Sequence, residues 1–89
     1  MDRRQRIEAA LRADFAPARL EIVDDSLQHA GHSGAGEGGE THYHVRIVSA
    51  RFQGLSRVAR HRLVNASLAD EFTGGLHALA IVAAAPGEA

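Results

Sequence analysis

Six histidines and no cysteine set the chemistry open to this 89-residue chain. Without cysteine there is no thiol nucleophile, no disulfide and no all-protein zinc–thiolate or iron–sulfur site. Imidazole is the soft ligand that remains. His77 follows the flexible pair Gly74-Gly75 and opens the apolar run Leu76 to Ala84, so a free backbone precedes it and a strand anchors it. That placement suits a metal ligand. It equally suits a structural histidine hydrogen-bonded at a strand start. His29 and His32 are three residues apart in a glycine-rich stretch, a spacing that can aim both rings at one metal or, in a loop, scatter them. His42 and His44 alternate along one strand face and could form a metal pair, but no third ligand stands near them in sequence. Arg57, Arg60 and His61 share an outer helix face, with Arg62 beside them. No serine or carboxylate stands in a catalytic constellation, so an enzyme is not expected.

The elements that must carry these residues are legible in order. Asp2 and Gln5 form a capping box ahead of a helix whose apolar face is Ile7, Leu11 and Phe15, with Ala10 beside it; Pro17 stops it. Residues near Arg19 to Ser26 read as a strand. Residues 28–40 are punctuated by glycines and read as a flexible strand–strand loop. Thr41 to Ser49 is a second strand, with Tyr43, Val45 and Ile47 on one face and His42, His44 and Arg46 on the other. Phe52-Gln53-Gly54 is a turn and Ser56 caps the next helix. In that helix Leu55, Ala59 and Leu63 form one apolar row; Val64, Leu68 and Phe72 form another, with a break near Asn65 or Ala66. Gly74-Gly75 ends the helix, Leu76 to Ala84 is the last strand, and 85–89 is a short frayed tail.

The expected fold is therefore α/β of the α+β kind, in the order α-β-β-α-(α)-β. A three-stranded mixed sheet carries its helices on one face. The last two strands are joined through a helix and should be parallel with a right-handed crossover; the first two should be antiparallel. The length makes one small domain, 1–89, with a modest core. Ten basic residues, all arginine, stand against eleven acidic ones for a net charge of −1, which gives no global field favouring nucleic acid. No apolar run reaches the length of a membrane span and the N-terminus has no signal-peptide pattern, so a cytoplasmic protein is expected, with no membrane partner.

Several segments together resemble the BolA-like proteins. They are Asp24-Asp25-Ser26-Leu27-Gln28-His29-Ala30-Gly31-His32, Gly39-Glu40-Thr41-His42-Tyr43-His44-Val45, Phe52-Gln53-Gly54-Leu55 through Arg60-His61-Arg62-Leu63-Val64-Asn65, and Gly75-Leu76-His77-Ala78-Leu79-Ala80-Ile81. The resemblance covers nearly the whole chain. It implies a fold similar to the class II KH domain. It implies partnership with a monothiol glutaredoxin, through a shared, glutathione-dependent [2Fe–2S] cluster that this chain does not bind alone, and a role in iron–sulfur trafficking or iron homeostasis. The histidine of the His-Ala-Leu segment, here His77, is implied as a cluster ligand, with His32 or His29 as the second. Histidine can replace cysteine on one iron of such a cluster, so a cysteine-free chain can complete one whose thiolates come from elsewhere. The chain would be a monomer alone or a heterodimer with glutaredoxin.

Some members of the family are described as DNA-binding regulators. The alternative expectation is thus a stress-response transcriptional regulator using the basic helix 56–65, through Arg57, Arg60, His61 and Arg62. The Gly-x-x-Gly clamp of KH domains is not found between the helices; Gly31-His32-Ser33-Gly34 and Gly36-Glu37-Gly38-Gly39 both fall in the strand–strand loop. Many family members end in Thr-Pro-x-Glu-Trp. Here the segment is Ala85-Pro86-Gly87-Glu88-Ala89, and the missing aromatic weakens the case for a docked tail.

Overall fold

A computed structural model describes residues 1–24 and 42–88. The elements are α1 (Arg3–Phe15), β1 (Arg19–Asp24), β2 (His42–Val48), a 3-10 turn at Ala50–Phe52, α2 (Arg57–Ser67), α3 (Ala69–Thr73) and β3 (Ala78–Ala84). The strand–strand loop 28–40, with His29 and His32, lies outside the described residues.

The starts of α1 and α2 are set by local chemistry. The Asp2 carboxylate accepts from the Gln5 N–H while the Gln5 side chain accepts from the Asp2 N–H, which satisfies two otherwise orphaned donors of α1. The Ser56 hydroxyl accepts from the Ala59 N–H at 3.1 Å and starts α2. Helix α1 ends at Phe15, two residues before Pro17. Ala16 takes a left-handed cap conformation (φ 43°) and its N–H closes on the Arg12 carbonyl.

The sheet order is β1-β2-β3, antiparallel between β1 and β2 and parallel between β2 and β3. The register places Leu20, Ile22, Tyr43, Val45, Ile47, Leu79, Ile81 and Ala83 on one face. That face joins Ile7, Leu11, Phe15, Val64 and Leu68 in a single core, so the helices cover it. The opposite face carries Glu21 and Val23 of β1, His42, His44 and Arg46 of β2, and Ala78, Ala80 and Val82 of β3. No helix among the described residues is long and apolar enough to cross a membrane.

Four expectations are corrected. Leu63 and Phe72 do not join the core; they are 38% and 36% exposed, because α2 ends at Ser67, Val64 and Leu68 take the inward positions, and α3 buries none of its residues. The break falls at Leu68 rather than at Asn65 or Ala66. Phe52 is not merely a turn residue. It is fully buried and its ring lies 5.1 Å from that of Phe15, at 34°. The C-terminal segment is not frayed through residue 88: Ala85 is fully buried, and Glu88 folds back to accept from the Ala85 N–H and from the Arg60 guanidinium.

Ser49, at the end of β2, ties the layers together. It is 1% exposed. Its hydroxyl donates to the Phe15 carbonyl at 2.6 Å and accepts from the Arg51 N–H, while its own N–H bonds to the Ala84 carbonyl. One residue thus joins the end of α1, the 3-10 turn and the end of β3.

Candidate functional site

The bridge from α3 to β3 fixes where His77 stands. The Gly74 N–H bonds to the Asp70 carbonyl, the Gly75 N–H to that of Phe72 and the Leu76 N–H to that of Glu71. Gly75 has φ +121°, a conformation that an L side chain resists. Leu76, 3% exposed, then drops into the core and pins the chain. His77 comes next, exposed, immediately before Ala78 starts β3.

Parallel pairing does the rest. His42 opens β2 and sits in register with Ala78, so β2 and β3 deliver two imidazoles to one end of the sheet. The rings of His42 and His77 lie edge to face, centroids 6.0 Å apart at 82°. His42 is half-buried and His77 exposed. His44 shares the sheet face with His42 two residues further along β2 and is also half-buried.

The donor set at this corner is two imidazoles. Among the described residues no group of three or more histidine, cysteine, aspartate or glutamate side chains is placed to hold a metal ion. A metal met by this pair therefore needs donors from outside the described residues. To such a metal the pair offers nitrogen and no thiolate.

A charged brace stands behind the bridge. Arg3, at the start of α1, donates from Nε to Glu71 Oε1 at 3.1 Å and from Nη2 to the Gly74 carbonyl at 2.8 Å. Arg6 donates from Nε and Nη2 to the two oxygens of Glu71, at 2.9 and 3.1 Å, and from Nη1 to the Met1 carbonyl. The side chains of Arg3 and Glu71 are only 11% and 12% exposed. Bonds from Arg6 and then Arg3 hold the Glu71 carboxyl below its ordinary range, against the opposing effect of burial. A Cβ on Gly75 would stand 3.5 Å from Arg3 Nη2, an ordinary contact, so the positive φ rather than the space beside Arg3 calls for glycine here. Neither Arg3 nor Glu71 is singled out by sequence spacing. They lie 68 positions apart, and only the fold brings the start of α1 to α3.

The basic helix is partly spoken for. Arg57 and Arg62 are exposed and His61 is half-buried. Arg60 turns inward: Nε donates to the Leu55 carbonyl at 3.0 Å, Nη1 to the Ala83 carbonyl at 3.2 Å, and Nη1 and Nη2 to the Glu88 carboxylate. The Arg60 bond, with that from the Ala85 N–H, lowers the Glu88 carboxyl to about 2. A shallow cleft of about 390 Å³ lies here between α2 and the free edge of β3, lined by Leu55, Arg57, Arg60, His61, Ile81 and Val82 among others. Its β3 lining, Ile81 to Ala83, lies four to six residues beyond His77, about 13–20 Å along the strand. The structure thus brings His42 to His77, leaves His29 and His32 outside the described residues, and removes Arg60 from the freely exposed cations of α2.

Comparison with known proteins agrees with this architecture. A family model described as BolA-like protein matches residues 11–88. The chain is 54% identical over 83 residues to an uncharacterized protein in the cobS 5′ region of a Sinorhizobium species, covering 92% of this chain and 89% of that protein. It is 51% identical over 90 residues to SufE-like protein 1, chloroplastic/mitochondrial, of Arabidopsis thaliana; 97% of this chain is covered but only 24% of that protein, so the likeness is to about a quarter of it. The solved structure of BolA1 from Arabidopsis thaliana superposes with a TM-score of 0.89 at 44% identity, covering 100% of this chain and 97% of that one.

Proposed function

The chain belongs to the BolA-like protein family, and from that premise we propose that it is an adaptor that docks on a monothiol glutaredoxin and completes a glutathione-dependent [2Fe–2S] cluster, serving iron–sulfur trafficking or iron homeostasis. The observation that supports this reading is the corner where exposed His77 meets His42 edge-on at 6.0 Å, in a chain with no cysteine.

The residues have separable tasks. His77 presents an imidazole nitrogen at the surface, where a partner reaches it without unfolding any element. Leu76, buried just before it, and β3, just after it, limit its travel. The second nitrogen comes from His42, already beside it, or from His29 or His32 of the loop. All thiolates must come from glutaredoxin and glutathione. A cluster so held supplies a transferable iron–sulfur unit whose histidine-ligated iron has a raised reduction potential. Because imidazole binds a metal only when deprotonated, the shared complex is expected to be labile to acid.

The test mixes the protein with a monothiol glutaredoxin, glutathione, iron and sulfide and records visible absorption and circular dichroism. The native chain should convert the glutaredoxin homodimer spectrum into a new heteromeric one, and His77→Ala should not. Replacing His29, His32 and His42 singly identifies the second ligand as the position whose loss reproduces His77→Ala. If both native and His77→Ala chains bind glutaredoxin and neither changes the spectrum, the protein is a docking module without metal and the cluster reading fails.

A further inference from the structure

We propose that Arg3 is a positioning residue for His77. Its guanidinium sets the course of the Gly74–His77 bridge, and through it the approach of the His77 ring to His42. This rests on the reading of His77 as the metal-facing residue, but its geometry stands in the free protein.

Three observations carry it. First, the guanidinium has two arms on two different targets. Nε meets Glu71, the α3 side chain, and Nη2 meets the carbonyl of Gly74, the residue that ends α3. A planar fork with fixed angles between its donors relates those two targets rigidly. Second, the Glu71 end of the contact is sheltered, with the Arg3 and Glu71 side chains 11% and 12% exposed, so the guanidinium is held in place while its Nη2 reaches the Gly74 carbonyl at the surface. Third, the contact adds to a bridge otherwise held by main-chain bonds and by buried Leu76. Gly74-Gly75 has no side chain of its own, and Gly75 sits at φ +121°. The Arg3 bond to the Gly74 carbonyl is a side-chain anchor three residues before His77, where a small change of backbone course alters the aim of the ring.

Arg6 supplies the internal control. It makes two bonds to the same Glu71 carboxylate, so it shares the ion pair, while its third nitrogen goes to Met1 rather than to Gly74. If Arg3 mattered only as a partner for Glu71, losing either arginine would have like effects. If Arg3 aims the bridge, only its loss moves His77. This is the role that groups behind a metal ligand generally play, orienting it without touching the metal.

The test compares Arg3→Met, Arg3→Lys and Arg6→Met by heteronuclear NMR of the free protein at neutral pH. It reads the His77 and His42 ring signals and the nuclear Overhauser contact between the rings. Arg3→Met should shift the His77 ring signals and weaken or abolish that contact; Arg6→Met should leave both as in the native chain. Arg3→Lys keeps a cation facing Glu71, so folding is preserved, but has no second arm for Gly74 and should displace His77 as Arg3→Met does. With glutaredoxin and cluster components, both Arg3 variants should lower the yield of heteromeric spectrum on the order of 10- to 100-fold. An unchanged His77–His42 contact in either Arg3 variant, or an equal shift in Arg6→Met, overturns the proposal. If instead the Arg3 variants move His77 and His77→Ala still forms the native heteromeric spectrum, it is the cluster reading that fails.

Discussion

His42 and His77 stand edge to face with ring centroids 6.0 Å apart because β2 and β3 run parallel with His42 in register with Ala78. An antiparallel pairing of the same two strands would carry the start of β3 to the other end of β2, far from His42. The corner is therefore a product of sheet topology.

Replacing His42 by Ala tests whether that proximity is used. The position is half-buried at a strand end, and a stability change within about 0.5 kcal/mol is expected by thermal denaturation. The yield of heteromeric cluster spectrum should nevertheless fall on the order of tenfold. Native yield in His42→Ala would show the ring contact to be incidental.

The tail contact makes a pH prediction. Glu88 has its carboxyl lowered from 4.5 to about 2 by Arg60 and the Ala85 N–H. A group lowered on folding stabilises the native state fully above its unfolded value and loses that contribution as pH falls toward its folded value. The stability gap between the native chain and Glu88→Gln should therefore be constant near neutrality and close between about pH 4.5 and 2. Urea denaturation at a series of pH values measures it; a gap that widens on acidification would contradict the assignment.

Ser49→Ala should cost about 1–3 kcal/mol in urea denaturation, because it leaves the Phe15 carbonyl and the Arg51 N–H without the buried hydroxyl that serves both. A loss below a few tenths of a kcal/mol would mean that water replaces the hydroxyl.

Phe52→Ala should cost about 3–5 kcal/mol, as for other large-to-small changes of fully buried aromatics. Leu63→Ala, at a position 38% exposed, should cost well under half of that. Equal losses in equilibrium denaturation would contradict the side of α2 assigned to the core.

These contrasts show what the sequence made legible. The alternation Tyr43, Val45, Ile47 has one solution on a strand, and the four-residue step from Ile7 to Phe15 has one on a helix; both are in the core. Leu63 and Phe72 misled because an apolar residue at helical spacing marks a candidate face, and the choice between adjacent faces depends on what the helix packs against. Phe52 was hidden by its neighbours Gln53 and Gly54, which announce a turn but say nothing about where the preceding ring points. The docked tail was concealed likewise: the family's aromatic is missing at the C-terminus, and the Glu88 carboxylate bound to Arg60 has no local sequence signal. At the candidate site, glycines, strand start and histidine located His77. Its brace, Arg3 with Glu71, is a contact across 68 positions and became visible only when α1 and α3 were placed together.

The central claim is that His77 is the residue through which this chain meets a cluster. Visible circular dichroism of the glutaredoxin mixture, native against His77→Ala, tests it most directly. A new heteromeric spectrum is expected with the native chain and the unaltered glutaredoxin homodimer spectrum with His77→Ala, while both chains still bind the apo-glutaredoxin. The same heteromeric spectrum from both chains would contradict it.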